Sequence, residues 1–178
     1  DTETKGPSYL FFDRPPYADY FSAGAIIFME KWKAAGYTEK PKAIFITYDT
    51  PYGRGPIEIG TPWAEEYGFE VLPPELFPGG ATELTSQLRR AKDAGVNYIA
   101  QNSVEGHYAM LLKDAKRAGM EMGIGPGKVQ IQGGSENHNP DVLKIAGEAA
   151  EGCWAVDSYP DWYEEEEAID MCRMLHMK

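Results

Sequence analysis

The sequence lacks the patterns that mark several common classes of protein. Its 2 cysteines, Cys153 and Cys172, do not have the spacing of metal ligands, and they could pair in an oxidising compartment or remain two buried thiols. No apolar run approaches the roughly 18 residues that a membrane-spanning helix needs. No Lys- or Arg-rich run is present and the formal net charge is -11, so we expect no binding to nucleic acid, whose affinity rests on neutralising phosphates.

Signatures of catalysis are missing as well. The sequence has no G-x-S-x-G motif, and Ser103 has no base that the sequence makes evident. The glycines over 123–127 precede a predicted strand instead of following one, and they do not have the spacing of a phosphate-binding loop. We therefore expect a protein that is not an enzyme and that needs no cofactor.

Size and composition predict one globular domain with a sizeable core. The chain has 178 residues, of which 43% are hydrophobic and 25% are charged. It starts with Asp1 rather than Met and shows no signal peptide, which indicates processing or a fragment. The missing targeting segment is therefore no evidence for a cytoplasmic protein.

Patterns typical of strands and of helices alternate along the chain. In the stretch 42–55 an apolar run over 43–47 ends at Asp49, and a helical pattern follows around 56–66. This alternation predicts an α/β fold, a three-layer sandwich in which helices flank a mostly parallel sheet. The other predicted strands are 8–12, 69–72, 96–100, 129–131 and 153–156. The other predicted helices run from Ala18 to Gly36, from a cap at Thr82 to Gly95, over 108–117, and from Pro140 to Gly152.

Apolar residues recur at helical spacing on two of these helices, which predicts that each buries one face in the core. The glycine-rich stretch 119–127 is predicted as a connection. The predicted core positions are Phe21, Ala25, Phe28 and Trp32 on the first helix, and Leu84, Leu88 and Ala91 on the third.

Polar and aromatic residues follow four of the predicted strands. Because parallel strands end at the same edge of a sheet, the loops after them should meet there. Carboxylates in these loops could pair with an ammonium group, and backbone N–H groups after Gly133 and Gly134 could bind a carboxylate. The convergence predicts a site for a small polar ligand, although any one loop could instead be a turn that caps a helix. The loops are 48–52, 101–106, 133–139 and 157–162.

A metal site is an alternative for the same loops. The pattern Glu-x-His occurs twice, at Glu105 with His107 and at Glu136 with His138. Two carboxylates and two imidazoles would suit zinc, manganese or iron, and would predict a metal-dependent hydrolase. Each pair is also a common coincidence, and His107 fits the first turn of a helix equally well.

Four blocks of sequence, in this order and with these gaps, resemble the type I periplasmic substrate-binding proteins of branched-chain amino acid ABC transporters, the leucine/isoleucine/valine-binding family. The first is similar to that family's strand-D-x-x-Y-G-x-G segment, and the second to its P-G-x-x-D-[FL]-[ST]-x-Q-L segment, with Glu83 in place of the usual Asp. The resemblance covers most of 8–162 and chiefly concerns the second lobe. The blocks are Phe45-Ile-Thr-Tyr-Asp-Thr-Pro-Tyr-Gly-Arg-Gly55, Pro78-Gly-Gly-Ala-Thr-Glu-Leu-Thr-Ser-Gln-Leu88, Ala91-Lys-Asp-Ala-Gly-Val-Asn-Tyr-Ile99 and Ala146-Gly-Glu-Ala-Ala-Glu-Gly152.

The resemblance implies a periplasmic or extracellular receptor with two lobes, which closes on an amino acid or similar small carboxylate and then docks on a membrane permease. Its partners would be the solute, the permease and the first lobe of the same protein. Residues 1–17 would be an entry strand or hinge segment, 18–162 the ligand-binding lobe, and 163–178 a truncated helix or hinge segment. A ligand-sensing domain of a receptor or regulator is the alternative.

Carried over by position, the resemblance also implies a set of ligand-binding residues. Many amino-acid-binding members have an aromatic residue where this chain has Val104 and Glu105, so aromatic acids and other carboxylates are alternative ligands. The implied residues are Asp19, Asp49, Thr50, Tyr52, Ser103, Val104, Glu105, Gly134, Ser135 and Glu136.

Overall fold

Strands and helices alternate through residues 15–157, the part of the chain that this computed structural model describes. The predicted strand 8–12 and the predicted segment 163–178 lie outside it. The helices are α1 (Tyr17–Ala34), α2 (Pro51–Tyr67), α3 (Thr85–Asp93), α4 (Glu105–Arg117) and α5 (Pro140–Ala146), with 3-10 turns at Ser135–Asn137 and Gly147–Ala150. The strands are β1 (Lys42–Tyr48), β2 (Glu70–Val71), β3 (Glu75–Phe77), β4 (Tyr98–Ala100), β5 (Glu121–Met122), β6 (Lys128–Gly133) and β7 (Trp154–Ala155).

The strands form one sheet in the order β2-β1-β4-β6-β5, and β3 and β7 add to β1 and β6. Each pairing between the described strands is parallel, as predicted. β2 pairs with the start of β1 and β3 with its end, and Pro73 and Pro74 lie between them. Proline has no N–H to donate, so it interrupts a ladder at this point. The strand predicted over 69–72 is thus short, and β3 is a strand that the sequence pattern does not reveal.

Helices cover both faces of the sheet, which confirms the predicted three-layer sandwich. Ala43 and Phe45 of β1 pack against α1 and α2, whereas Ile44 and Ile46 pack on the opposite face with α3, α4 and α5. The alternation follows from the two-residue period of a strand. None of the helices within residues 15–157 is both long and apolar enough to cross a membrane. The predicted core positions of the first and third helices are buried: Phe21, Ala25, Phe28, Trp32, Leu84, Leu88 and Ala91.

Helix α2 begins earlier than its sequence pattern predicts. It starts at Pro51 rather than near Pro56, because proline suits the first turn, where backbone N–H groups lack partners inside the helix. Thr50 caps it, and its Oγ1 accepts a hydrogen bond from Gly53 N at 3.3 Å. Tyr52 therefore lies in the first turn of a helix and not in a loop.

The predicted cap at Thr82 is wrong. Helix α3 begins at Thr85, and the backbone N–H of Leu84 donates instead to Oδ2 of Asp114, at 2.7 Å. Asp114 lies on α4 and is fully buried, and its other oxygen accepts a hydrogen bond from Arg117 at 2.8 Å. A carboxylate 30 positions away in the chain thus supplies the acceptor that a local hydroxyl was expected to provide.

Two other features differ from prediction in the second half of the chain. The glycine-rich connection contains β5, a strand of 2 residues that pairs with β6. Helix α5 begins at Pro140 as predicted, but it ends at Ala146 and a 3-10 turn continues to Ala150. Gly147, which follows Ala146, has φ 56°, a conformation that glycine adopts readily and that ends the helix.

Candidate functional site

The strands β1, β4, β6 and β7 all end at one edge of the sheet, which we call the carboxyl rim. Asn102 Nδ2 donates to Tyr52 O at 2.8 Å, and Asn137 Nδ2 donates to Ser103 O at 2.9 Å. These bonds join the segments after β1, β4 and β6 side by side, so the predicted convergence of these three loops is confirmed. Of the fourth loop, 157–162, only Asp157 lies within the described residues.

Three side chains from different elements meet at the rim, and we call them the rim cluster: Tyr17, Tyr52 and Glu136. Tyr17 donates its hydroxyl hydrogen to Glu136 Oε1 at 3.1 Å. The rings of Tyr17 and Tyr52 meet edge to face, with centroids 4.9 Å apart. Tyr17 is the first residue of α1, and sequence reasoning did not single it out, because only the tertiary fold brings the start of α1 to the loop after β6.

The hydroxyl group of Tyr52 differs from the other polar groups of the cluster in its hydrogen bonding. It is buried, and among the described residues no group meets the geometry of a hydrogen bond to it, although the hydroxyl group of Tyr17 lies close enough to help raise its pKa. Burial, followed by the negative charge of Glu136, raises the pKa of Tyr52 well above its ordinary value. The phenol therefore stays protonated, so it can donate its hydrogen to an acceptor atom of a ligand.

The first predicted loop contributes less than expected. Asp49 Oδ1 accepts a hydrogen bond from Arg54 Nε at 2.7 Å, so this carboxylate is already paired with a cation. Thr50 uses its hydroxyl group to cap α2. Thr50 thus performs the helix-capping role that a single loop of this kind could have, and Asp49 is engaged by Arg54. Tyr52 is the predicted residue here that joins the rim cluster.

In the second loop Val104 is exposed, Glu105 is half-buried and Ser103 is buried. Val104 is 45% exposed at the cap position of α4, and Glu105 follows it in the first turn of that helix. Ser103 is only 1% exposed, and its hydroxyl group donates to Oε1 of Gln101. The seryl oxygen is therefore part of the internal hydrogen bonding of the rim.

The third loop has a similar division between surface and interior. Gly134 and Ser135 are buried, and Glu136 is half-buried with its carboxylate in the rim cluster. The N–H of Gly134 donates to Asn137 Oδ1 at 3.0 Å. This N–H is occupied inside the protein and is not available to a ligand carboxylate. For the N–H groups of Ser135 and Glu136, which follow the two glycines, binding of a carboxylate stays a prediction.

The rim is negatively charged. Asp19 lies exposed in the first turn of α1, as the sequence predicts, and Glu105, Glu136 and Asp157 lie on the other segments. In the described segments 15–20, 48–54, 101–107 and 133–139, Arg54 is the single lysine or arginine, and it is paired with Asp49. An excess of carboxylates at a partly dehydrated surface favours a ligand group that carries positive charge.

The two Glu-x-His pairs do not assemble into a metal site. His107 Nδ1 bonds to the hydroxyl group of Tyr48 at 2.8 Å, and its Nε2 lies 3.2 Å from Ala81 O, so both ring nitrogens have protein partners. His138 instead faces Asp157, with Nδ1 and Oδ2 3.4 Å apart. Within residues 15–157 no three His, Cys, Asp or Glu side chains are grouped as metal ligands would be.

The rim is an open surface with little enclosed volume. A cavity of about 20 Å³, lined by Tyr17, Tyr20 and Asn102 among others, has room for about one water molecule. Pockets that enclose a small ligand usually measure several hundred Å³. A wider groove of about 420 Å³ lies nearby and is lined by Leu143 and Cys153 among others. Cys172 is outside the described residues, so its pairing with Cys153 stays a prediction.

Comparison with known proteins relates most of this chain to one family. The family model described as "Periplasmic binding protein" matches residues 2–174. A curated relative, the Leu/Ile/Val-binding protein homolog 7 of Brucella abortus, is 23% identical over 145 residues, which are 80% of this chain and 35% of the relative. The chain therefore spans about a third of the length of the curated relatives it matches.

Two solved structures have the same fold. One is described as a branched chain amino acid ABC transporter from Thermus thermophilus with bound valine; it matches 95% of this chain and 41% of its own, with 28% identity and a TM-score of 0.71. The other is described as a fatty acid ABC transporter substrate-binding protein from Thermomonospora curvata, with a TM-score of 0.77 at 19% identity over 96% of this chain and 42% of its own.

Proposed function

This chain belongs to the periplasmic binding protein family, and from that premise we propose that it forms a ligand-binding lobe of an extracytoplasmic solute receptor. In this proposal the rim cluster contacts an amino acid or a similar small solute. The complete protein would close on the solute with a second lobe and deliver it to the permease of an ABC transporter. The lobe itself would bind without chemical change to the solute.

The observation that carries the proposal is the rim cluster. A carboxylate at Glu136, two tyrosine rings and the unpartnered hydroxyl group of Tyr52 come together from three elements at the carboxyl edge of a parallel sheet. Ligands of open α/β folds bind at this edge. Glu136 suits the ammonium group of an amino acid, because a charge-assisted hydrogen bond is stronger than a neutral one. Tyr17 and Tyr52 would add their ring faces to a bound cation.

The open shape of the rim supports a second lobe. A small ligand that binds tightly usually has most of its surface buried, and one open edge leaves much of it in water. Closure of two lobes around a ligand removes that water. The relatives, of which this chain spans about a third, have the additional length that a second lobe requires.

The experiment is a binding screen with the complete protein that contains this sequence. L-Valine, L-leucine, benzoate and a medium-chain fatty acid would be tested by thermal shift and calorimetry, since a bound ligand raises the melting temperature. N-acetyl-L-leucine is the matched control, because it keeps the side chain and carboxylate of leucine but has no ammonium group.

We expect L-valine or L-leucine to bind and N-acetyl-L-leucine to bind at least about tenfold more weakly, the effect of one charge-assisted hydrogen bond. Equal binding of leucine and its acetylated form would overturn the assignment of Glu136 to an ammonium group. If only benzoate or the fatty acid bound, the ligand class would be carboxylates without an ammonium group, and not amino acids. No binding by any of the five compounds would count against solute capture.

A further inference from the structure

The side chain of Asn137 lies behind the rim cluster and is 4% exposed. It is the last residue of the 3-10 turn that follows Gly134. Its Oδ1 accepts a hydrogen bond from Gly134 N at 3.0 Å, and its Nδ2 donates to Ser103 O at 2.9 Å. One amide therefore fixes the loop after β6 to itself and to the loop after β4.

Gln101 completes this connection. Its Nε2 donates to the same Oδ1 of Asn137, and its Oε1 accepts a hydrogen bond from the hydroxyl group of Ser103. Gln101 is 6% exposed, so these bonds form away from water, where each of them contributes more and where an unmade one is costly. The polar atoms of the two side-chain amides are directed at each other and at the loops, and not at the rim surface.

The backbone leaves Asn137 little freedom to move. A Cβ atom placed on Gly133, the last residue of β6, would lie only 2.7 Å from Asn137 Cβ. Glycine at this position lets the asparagine approach the end of the strand, so its amide is held by close packing as well as by hydrogen bonds. Glu136, which belongs to the rim cluster, is its immediate neighbour in the chain.

From this arrangement we infer that Asn137 is a positioning residue: it sets the place of Glu136 relative to Val104 and Glu105 and thereby determines ligand affinity without touching the ligand. The inference rests on the proposed function of the rim. Groups that are held in the bound geometry before the ligand arrives bind more tightly, because less ordering remains to be done on binding.

The test compares Asn137→Ala with Asn139→Ala in the complete protein. Asn139 is a matched control of the same residue type two positions away; its side chain caps α5 by accepting from Asp141 N at 2.8 Å. Both variants lose buried or capping hydrogen bonds and should lower stability. Only Asn137→Ala should weaken L-valine binding by at least about tenfold per folded molecule, whereas Asn139→Ala should stay within about twofold.

A double-mutant cycle separates positioning from a general structural effect. If Asn137 acts through Glu136, then Asn137→Ala should weaken binding far less in a Glu136→Gln background than in the unsubstituted protein, because interacting sites are not additive. Additive losses of affinity would overturn the inference. Equal affinities of Asn137→Ala and the control variant Asn139→Ala for L-valine would also overturn it.

Amide hydrogen exchange without ligand provides a readout that does not depend on the identity of the solute. We expect Asn137→Ala to speed exchange over residues 103–105 and 134–136 by at least about tenfold, and Asn139→Ala to leave these segments unchanged. Unaltered exchange in the first variant would refute the positioning role even if solute binding itself had failed. If none of the compounds bound but Asn137→Ala still exchanged faster over these segments, only the proposed function would be refuted.

Discussion

The hydroxyl group of Tyr17 donates a hydrogen bond to Oε1 of Glu136 at 3.1 Å, across 119 residues of sequence. The bond fastens the first residue of α1 to the loop after β6. It also orients a half-buried carboxylate towards Tyr52, whose ring lies edge to face with that of Tyr17. The consequences of this arrangement can be measured one residue at a time.

Glu136→Gln should weaken the binding of L-valine by about 10- to 100-fold, because hydrogen bonds to charged groups contribute roughly 1.5–3 kcal/mol. The substitution keeps the shape of the side chain and the acceptor for Tyr17, so the melting temperature should change little. Calorimetry gives the affinity, and Glu66→Gln, an exposed change on α2, controls for the lost charge. Equal affinities of the two variants would show that Glu136 does not carry the ligand contact.

Tyr52→Phe should separate stability from binding. Removal of a buried hydroxyl group that has no partner should leave the free energy of unfolding unchanged or raise it by up to about 1 kcal/mol. Affinity for L-valine should fall by about three- to tenfold, since a donor to the ligand is lost. Tyr108→Phe is the contrasting variant, because its buried hydroxyl donates to Trp154 O at 2.6 Å and its loss should cost about 1–2 kcal/mol.

Denaturant unfolding of both tyrosine variants measures the free energies. A substantial destabilisation by Tyr52→Phe would mean that its hydroxyl group has a partner in solution. Unchanged affinity in the same variant would exclude this hydroxyl group from the ligand contact.

Asp114→Ala should destabilise the protein by about 2–3 kcal/mol, because the buried N–H of Leu84 and the guanidinium of Arg117 both lose their acceptor. Thr82→Ala removes the residue that sequence reasoning selected as the cap, and it should change stability by less than about 0.5 kcal/mol, as surface substitutions do. Urea unfolding of the two variants ranks the two effects. A larger loss of stability for Thr82→Ala would mean that Thr82, and not Asp114, supplies the important acceptor at the start of α3.

The pair Glu75–Arg90 should make stability depend on pH. Two hydrogen bonds from Arg90, at 2.7 and 2.8 Å, and its positive charge lower the pKa of Glu75, against a smaller opposing effect of burial. The carboxylate therefore stabilises the fold above its ordinary pKa of 4.5, and this contribution is lost as the pH falls through the lower pKa of the folded state.

The test compares the stability of Glu75→Gln with that of Glu83→Gln. Glu83 is exposed in the segment before α3 and serves as the control. At pH 7 Glu75→Gln should cost about 0.5–1 kcal/mol, a modest value because Arg90 is largely in water. The cost should shrink as the pH is lowered below 4.5, the ordinary value for this group. A cost that stayed constant with pH would mean that packing and not charge stabilises the position.

The alternation of strands and helices was predictable because it depends on periodicity over many residues. The buried faces of α1 and α3 emerge from spacing alone, as Phe28 and Leu88 illustrate. β3 and β5 were not predicted, because residues typical of loops surround them: Pro73 and Pro74 precede β3, and β5 lies in the glycine-rich stretch 119–127.

The site was predictable in outline and not in detail. Parallel topology alone predicts that the loops meet, and four blocks of family resemblance locate them. Which side chain faces the ligand depends on contacts between distant segments. Nothing near Tyr17 in the sequence reveals its bond to Glu136, which lies 119 positions away. The role of Asn137 likewise depends on its reach to Ser103, which the sequence does not encode at short range.

The parallel sheet also determines when this chain can begin to fold during its synthesis. Ala43 of β1 pairs with Val71 on one side and with Tyr98 on the other. A nascent chain that ends before Val71 has no partner strand for β1 among the described ladders, and its apolar run stays exposed. We therefore expect holding chaperones to bind arrested chains of this length, and protease resistance to appear only once the chain extends past Tyr98.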